Sequence, residues 1–403
     1  MSRFSEALRS LGYRNFRLFF TGQLVSLVGT WMQSMALSWL VYRLTHSTTL
    51  LGLVVLATQA PIVLLGSYTG VMADRVDSRR MLVITQTIQM LQAFLLAYLT
   101  LSGRIQVWQI LTLASILGLV NAFDLPSRQV LVAQTVDRAD LPNAIALHSS
   151  IFHGTRVLGP ALAGVLVAAI GEGWCFMANG ISFLAVIAGL FMMRLPVFVP
   201  RTDHPPVFTH FMEGVRFVRG DRRVRLLLIL LGIVCLMGMP YTVLMPIFAD
   251  GILHGGPKAM GLLMGASGIG AVLGSMALAG RRRTKGLEHI ATWGAASVGL
   301  VLIAFAFSKV FWVSALLMIP VGMTMVSHMT ANNTLVQMLI PDEMRGRVMA
   351  FHAMVFTAGM PLGAVLEGIL AQHLGAPLAV ALGGIGCILG AGYFAWQYPR
   401  PAA

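Results

Sequence analysis

Arg156 interrupts an otherwise uncharged run from Ile151 to Ile170. A guanidinium in such a setting can hold an anionic group of a ligand, oppose a carboxylate, or donate to backbone carbonyls, and spacing alone leaves the three open. Gln33 and Gln59 stand near the middle of two further apolar runs and supply uncharged donors and acceptors, with Trp31 and Met35 as apolar wall beside them. These five are the candidate substrate-binding residues. Acids within apolar runs are few. Asp124 and Glu367 are the candidates for carrying a proton or ion, with His328 beside them because imidazole titrates near neutral pH. Asp124 has a second reading as a partner of Arg128, and Glu367 has one as a solvated rim residue. His148, His153 and His352 are more ordinary packing histidines. Gln86, Gln89 and Gln92 recur at a spacing of three, which reads as adhesion between helices rather than a ligand site. Asp250 reads as solvated. No GxxxxGK[ST] phosphate loop, HExxH or CxxC metal motif, or Ser/His/Asp arrangement is present. This is chemistry for binding and release, not for breaking bonds, so no enzyme, metal or cofactor is expected.

The elements that position these groups follow from composition. Apolar residues make up 57% of the 403 and charged residues 11%, against roughly 45–50% and about 25% in soluble domains. There is too little polar surface to clothe a core in water. The mean hydropathy of +0.79 says the same. A spanning helix needs about 20 mostly apolar residues, and twelve segments meet that ruler: 16–42, 49–72, 81–102, 106–125, 143–170 and 174–193, then 224–249, 258–280, 287–307, 310–333, 347–373 and 376–397. The expected class is an all-α membrane protein.

A net charge of +13 would suit nucleic acid if it were clustered on one face. Here the cations alternate between connectors. With the N-terminus in the cytoplasm, twenty-three Lys and Arg fall on that side and four on the other, which predicts two cytoplasmic termini and no nucleic-acid partner. Cys175, Cys235 and Cys387 each lie in an apolar run, so packed thiols are expected. The N-terminal stretch is basic and amphipathic, and the apolar segment after it is too long for a cleavable signal.

The stretch 194–222 divides the chain. It opens Pro-rich and extended, then continues as FTHFMEGVRFVRGDRR, which predicts a basic amphipathic helix on the membrane face. Residues 1–193 and 223–403 are then two six-helix bundles. They look related: a shift of 204 lays 146–171 over 350–375, with identities that include His148/His352, Gly159/Gly363, Gly164/Gly368 and Gly171/Gly375. Six spans return the chain to its starting side, so the repeat is parallel, about an axis along the membrane normal.

The loop after the second segment reads Gly70-Val-Met-Ala-Asp74-Arg75-Val-Asp77-Ser-Arg79-Arg80. It resembles the signature of the major facilitator superfamily, with Asp77 where that family usually has Gly. Arg156-Val-Leu-Gly159-Pro160-Ala-Leu-Ala-Gly164 resembles the motif that the superfamily's exporters carry in their fifth helix, apart from Thr155 in a glycine's place. NFRLFFTGQLVSLVGTWMQSMALSWLVYRLT and IPDEMRGRVMA resemble the bacterial branch of enterobactin and macrolide exporters. This resemblance implies the major facilitator fold, two pseudo-symmetric bundles with substrate bound between them. It also implies a conformational latch in which Asp74 caps the eleventh helix near Arg347, with Gly70, Arg75, Arg79, Arg80 and Arg128 around it; the plain alternative is a solvated topogenic loop. The equivalent loop of the second half, 280–285, has no acid and keeps only a topogenic role.

The function implied is efflux of an amphipathic, drug-like or siderophore-like small molecule by alternating access, driven by a proton gradient without a cofactor. The setting is a bacterial inner membrane, with lipids as neighbours and a monomer as the unit. An importer of a small metabolite, a lipid or lysolipid flippase of the same fold, and a membrane sensor without transport are the alternatives.

Overall fold

The computed structural model describes residues 8–195, 207–280 and 286–398, apart from the side chains of Ser67, Val71, Asp74, His153 and 207–211. The helices are α1 (Arg14–Thr45), α2 (Thr48–Arg75), α3 (Ser78–Leu101), α4 (Val107–Gln134), α5 (Leu141–Ile170) and α6 (Glu172–Met192). After the connector come α7 (Val207–Gly220), α8 (Arg222–Ile252), α9 (Gly256–Ala279), α10 (Leu287–Ala306), α11 (Phe311–Leu339), α12 (Asp342–Leu374) and α13 (Ala376–Gln397). All but α7 are long and apolar enough to cross a membrane, twelve in total. The all-α architecture of twelve candidate spans is therefore as expected, and no strand occurs among the described residues.

Each helix starts and stops for local reasons. Asp77, the acid in a position where the signature has glycine, caps α3 by accepting from the Arg79 amide at 2.9 Å. Asp221 caps α8 in the same way, from the amides of Arg223 and Val224. Such caps contribute about 1 kcal/mol each by satisfying first-turn N–H groups. The span α8 is not regular. Pro240 and Pro246 remove ladder donors, and the helix passes through a π turn at Val234–Gly238, a 3₁₀ stretch at Pro240–Leu244 and a second π turn at Phe248–Ile252. Exposed aromatics sit near helix ends, including Trp108, Trp312 and Trp396, where indole rings suit a membrane–water boundary.

The chain divides into two compact units, residues 1–40 with 57–204 and residues 41–56 with 205–403. The end of α1 and the beginning of α2 thus group with the second unit. In the first unit, Phe16, Phe19, Leu82, Leu131, Val132, Val186 and Leu190 form a buried cluster at the end that bears the N-terminus. Beside it the chain start is clasped. Arg9 pairs with Asp140, Ser10 Oγ donates to Asn143 Oδ1 at 2.7 Å, and Tyr13 donates to Asp140 and Asp137 at 2.7 and 2.9 Å. The hydrogen bond to Asp140, followed by that to Asp137, pushes the Tyr13 phenol up to about 12.

In the second unit α7 is the amphipathic helix that the connector predicted. It docks through Glu213, which pairs with Arg347 at 2.7 Å. A Cβ on Gly214 would lie 2.5 Å from the Arg347 carbonyl oxygen, so only glycine lets α7 approach α12 this closely. The Pro-rich part of the connector, 196–206, and the basic loop 281–285 lie outside the described residues.

The internal repeat is carried into packing within each unit. Gly159 of α5 rests against Trp31 and the Val28 carbonyl of α1, while Gly363 of α12 rests against the Leu236 carbonyl and Pro240 of α8. Matched glycines also make the joints: Gly171 (φ +90°) ends α5 and Gly375 (φ +85°) ends α12, each leading at once into the next helix. A positive φ is what a glycine there supplies.

Candidate functional site

Along α3 of the first unit, polar side chains form three buried hydrogen-bonded groups, about one turn apart. Asp124 of α4 is fully buried. Its Oδ2 accepts from Arg128 Nε at 3.1 Å and from Arg128 Nη2, and its Oδ1 accepts from Thr85 Oγ1 at 2.8 Å and Gln86 Nε2 at 2.7 Å. Arg128 Nη1 donates onward to Gln23 of α1. One turn along α3, Gln89 Nε2 donates to Asn121 Oδ1 at 3.0 Å. One turn further, Gln92 Oε1 accepts from Gln33 Nε2 at 3.2 Å, and Gln33 Oε1 accepts from Asn179 Nδ2 at 2.8 Å. Lipid offers no alternative partner for these groups, and most of them pair with one another, leaving Gln23 Nε2 and Gln86 Oε1 without a partner. Gly29 makes room for the last step, since a Cβ there would lie 2.5 Å from Asn179 Oδ1.

A cavity of about 170 Å³ opens beside this ladder. Thr30, Gln33, Ser34, Thr58, Gln89, Asn121 and Asn179 give it hydrogen-bonding walls, and Leu37, Leu117 and Phe183 close it. Gln86, Gln89 and Gln92 each bond to a neighbouring helix, as expected, and Gln89 also lines the cavity. Thr30, Ser34, Thr58 and Asn121 escaped the sequence reading. Thr30 and Ser34 share a face of α1 at a spacing of four, which is the signal available for them.

Among the proposed substrate contacts, Arg156 and Trp31 come together. The Arg156 guanidinium carbon lies 5.7 Å from the Trp31 ring centroid, within cation–π range, and Phe152 meets the same indole edge-on at 5.8 Å. Arg156 is half-buried and makes no ion pair with the described residues. Gly159, a turn along α5, brings the two helices close enough for the stack, with Pro160 and the buried Gly164 following in the same helix. Gln33 lies on the amide ladder and the cavity wall. Gln59 is half-buried and does not line that cavity, and Met35 is fully buried in the interior of the unit.

The ion candidates differ in their surroundings. Asp124 is filled with donors, as above. His328 of α11 is fully buried and its Nδ1 lies 2.7 Å from the Ala291 carbonyl of α10, a helix-joining geometry that leaves Nε2 unpartnered. Glu367 of α12 is 5% exposed, and neither carboxyl oxygen has a partner. Of the latch residues, Arg128 binds Asp124, Arg79 donates to the Phe191 carbonyl at 2.9 Å, Arg80 lies 3.8 Å from Asp77, and Arg75 is exposed. A Cβ on Gly70 would meet nothing within 4 Å. The Asp74 side chain, on which the expected latch depends, lies outside the described residues.

A third constellation was not anticipated. At the end of the second unit opposite its C-terminus, Thr48 Oγ1 donates to the Gly368 carbonyl at 2.6 Å and to Gln372 Oε1 at 3.1 Å. A Cβ on Gly52 would run into the Ala364 carbonyl, and one on Gly368 would lie 2.6 Å from the Thr48 carbonyl. Tyr42 donates to Asp250 Oδ2 at 3.2 Å, so Asp250, expected to be solvated, is engaged by a phenol. This seam of small residues fastens the start of α2 to α12.

The profile of a family described as transmembrane secretion effectors matches residues 5–399. The chain is 25% identical over 376 residues to the staphyloferrin A transporter of Staphylococcus aureus, covering 92% of this chain and 93% of that one. It is 22% identical over 373 residues to macrolide efflux protein A of Streptococcus pyogenes, covering 90% and 92%. Its fold is that of a solved bacterial homologue of the human lysosomal transporter Spinster, with a TM-score of 0.73 at 12% identity over 96% of this chain and 97% of that one.

Proposed function

The chain belongs to the transmembrane secretion effector family of the major facilitator superfamily, and from that premise we propose that it exports an amphipathic, anionic small molecule, drug-like or siderophore-like. The proposed mechanism is alternating access with protons moving inward, in a bacterial inner membrane. The observation that carries the substrate class is Arg156 stacked on Trp31 with no acid paired to it among the described residues. A charge at this depth costs on the order of 2.5–3.5 kcal/mol on insertion scales, and an arriving carboxylate or catecholate offsets that cost. The indole and Phe152 then take the apolar part of the ligand, and the amide-lined cavity suits its hydroxyl and carbonyl groups. The name of one relative, a macrolide efflux protein, and the family's description as secretion effectors favour outward movement over uptake. The uneven charge of the connectors supports placing both termini in the cytoplasm.

Inside-out membrane vesicles test the anchor. With a citrate siderophore, a catecholate siderophore and a macrolide as probes, Arg156→Ala should weaken uptake of the anionic probes roughly ten- to a hundredfold, the worth of a charge-assisted hydrogen bond. Arg156→Lys should recover part of the loss, because it restores the charge without the planar fork. Equal transport of the anionic probes by wild type and Arg156→Ala would remove Arg156 from the path.

A further inference from the structure

We propose that Glu367 is the carboxyl that takes up and releases the exchanged proton, and that the seam between α2 and α12 controls its access to water; this rests on the antiport reading above. Glu367 shares a small void with Leu236 and Met237 of α8 and Ala379 and Gly383 of α13, with Leu366 and Leu370 beside it on α12. None of these side chains offers a donor, and both carboxyl oxygens are without one. An ionised carboxylate here would be an unpaired charge in an apolar, lipid-embedded setting, which is costly enough that a neutralising partner is required.

The size of the site selects that partner. The void beside the carboxyl is about 10 Å³, at the lower limit for a single water. A metal cation needs several oxygen ligands, and the lining side chains add none to the carboxyl itself. A proton needs only the one oxygen. The titratable groups that face Glu367 from its neighbours are Cys387 of α13 and, behind it, Cys235 of α8, and both thiols are buried and free. Among the described residues, no Lys, Arg or His lines the site.

The seam supplies the gate. Gly368, the next residue, accepts from Thr48 through its carbonyl, and the Ala364 carbonyl, one turn back, packs closely on Gly52. The start of α2 therefore covers the turn of α12 that carries Glu367. Parting the seam wets that turn, so the proton binds a carboxyl oxygen from water on that side. It leaves to water when the opposite side opens, with no other group changed.

Infrared difference spectra of the full chain in lipid nanodiscs, wild type minus Glu367→Gln, test this without a substrate. The expected result is a protonated-carboxyl C=O band that is lost in Glu367→Gln, titrates with pH and ignores sodium. Its hydrogen–deuterium shift should run several-fold faster in Thr48→Val. No such band, a band unmoved at every pH, or a band that sodium removes at fixed pH would each overturn the proposal. Glu367→Asp, which keeps the acid, should keep a titrating band. In proteoliposomes Glu367→Gln should lose gradient-driven accumulation while keeping downhill exchange. Gradient-driven accumulation retained in Glu367→Gln would also overturn the proposal. If the wild type moves none of the probes, the export reading fails and the infrared result still decides the proton site.

Discussion

Asp124→Ala should destabilise the first unit by about 3–5 kcal/mol, the cost of leaving one member of a buried ion pair without its partner. Arg128 has a side chain only 14% exposed, and its remaining acceptor would be Gln23. Gln86 would lose its acceptor in the same step, stranding one further buried donor, while Thr85 keeps the Leu82 carbonyl at 3.1 Å. Thermal unfolding in detergent, followed by tryptophan fluorescence, reads the loss directly. Because the penalty comes from the orphaned charge, Asp124→Leu combined with Arg128→Met should be far more stable than Asp124→Ala alone. A single variant that melts with the wild type would mean that the pair is incidental. The experiment also separates two roles: a carboxylate with four donors on it is a brace, and the proton carrier is expected elsewhere.

Gly52→Leu should have the second large effect, at the seam. Even a methyl at that position would overlap the Ala364 carbonyl, and neither backbone has a flexible end that can yield. Overpacking a well-filled contact costs about 1–3 kcal/mol, and here the whole cost falls on the closed seam. Disulfide trapping measures it. The Thr48 and Gln372 side chains are 3.1 Å apart, and the native cysteines are all buried, so the background is low. Thr48→Cys with Gln372→Cys should cross-link readily in membranes. Adding Gly52→Leu should abolish most of the cross-link and, with it, transport. Undiminished cross-linking in the triple variant would show that Gly52 does not hold the seam.

The spans were legible because a bilayer leaves so little choice. Runs of apolar residues long enough to cross must be helical, since lipid satisfies no backbone group. Their ends were harder. The fourth segment reads as 106–125, yet α4 continues to Gln134. Pro126 does not end it, and the added turns carry Arg128 to Asp124. The eleventh segment reads as beginning at 347, and α12 begins at Asp342, where Asp342 and Arg345 pair at 2.5 Å. In both cases a helix runs past its apolar window into polar surroundings, which hydropathy cannot follow.

The site was legible in kind more than in arrangement. Arg156, Gln33 and Glu367 stand out because each is costly where it is, and cost can be read from residue type. Which groups meet cannot. Gln33 meets Gln92 and Asn179 across 59 and 146 residues, and Thr48 meets Gly368 across 320. Spacing along one helix carries no trace of such partners. The seam was invisible for a further reason: its parts are Gly, Ala and Thr, residues so common in membrane helices that none draws notice alone.

Gradient-driven transport in proteoliposomes tests the central claim most directly. With the chain reconstituted, a siderophore probe supplied on one side and a pH difference imposed, the probe should accumulate against its own gradient. It should do so only while protons flow the opposite way, and accumulation should cease when an ionophore collapses the pH difference. Accumulation that persists after the collapse, or movement of the probe together with protons in the same direction, would contradict proton-coupled export.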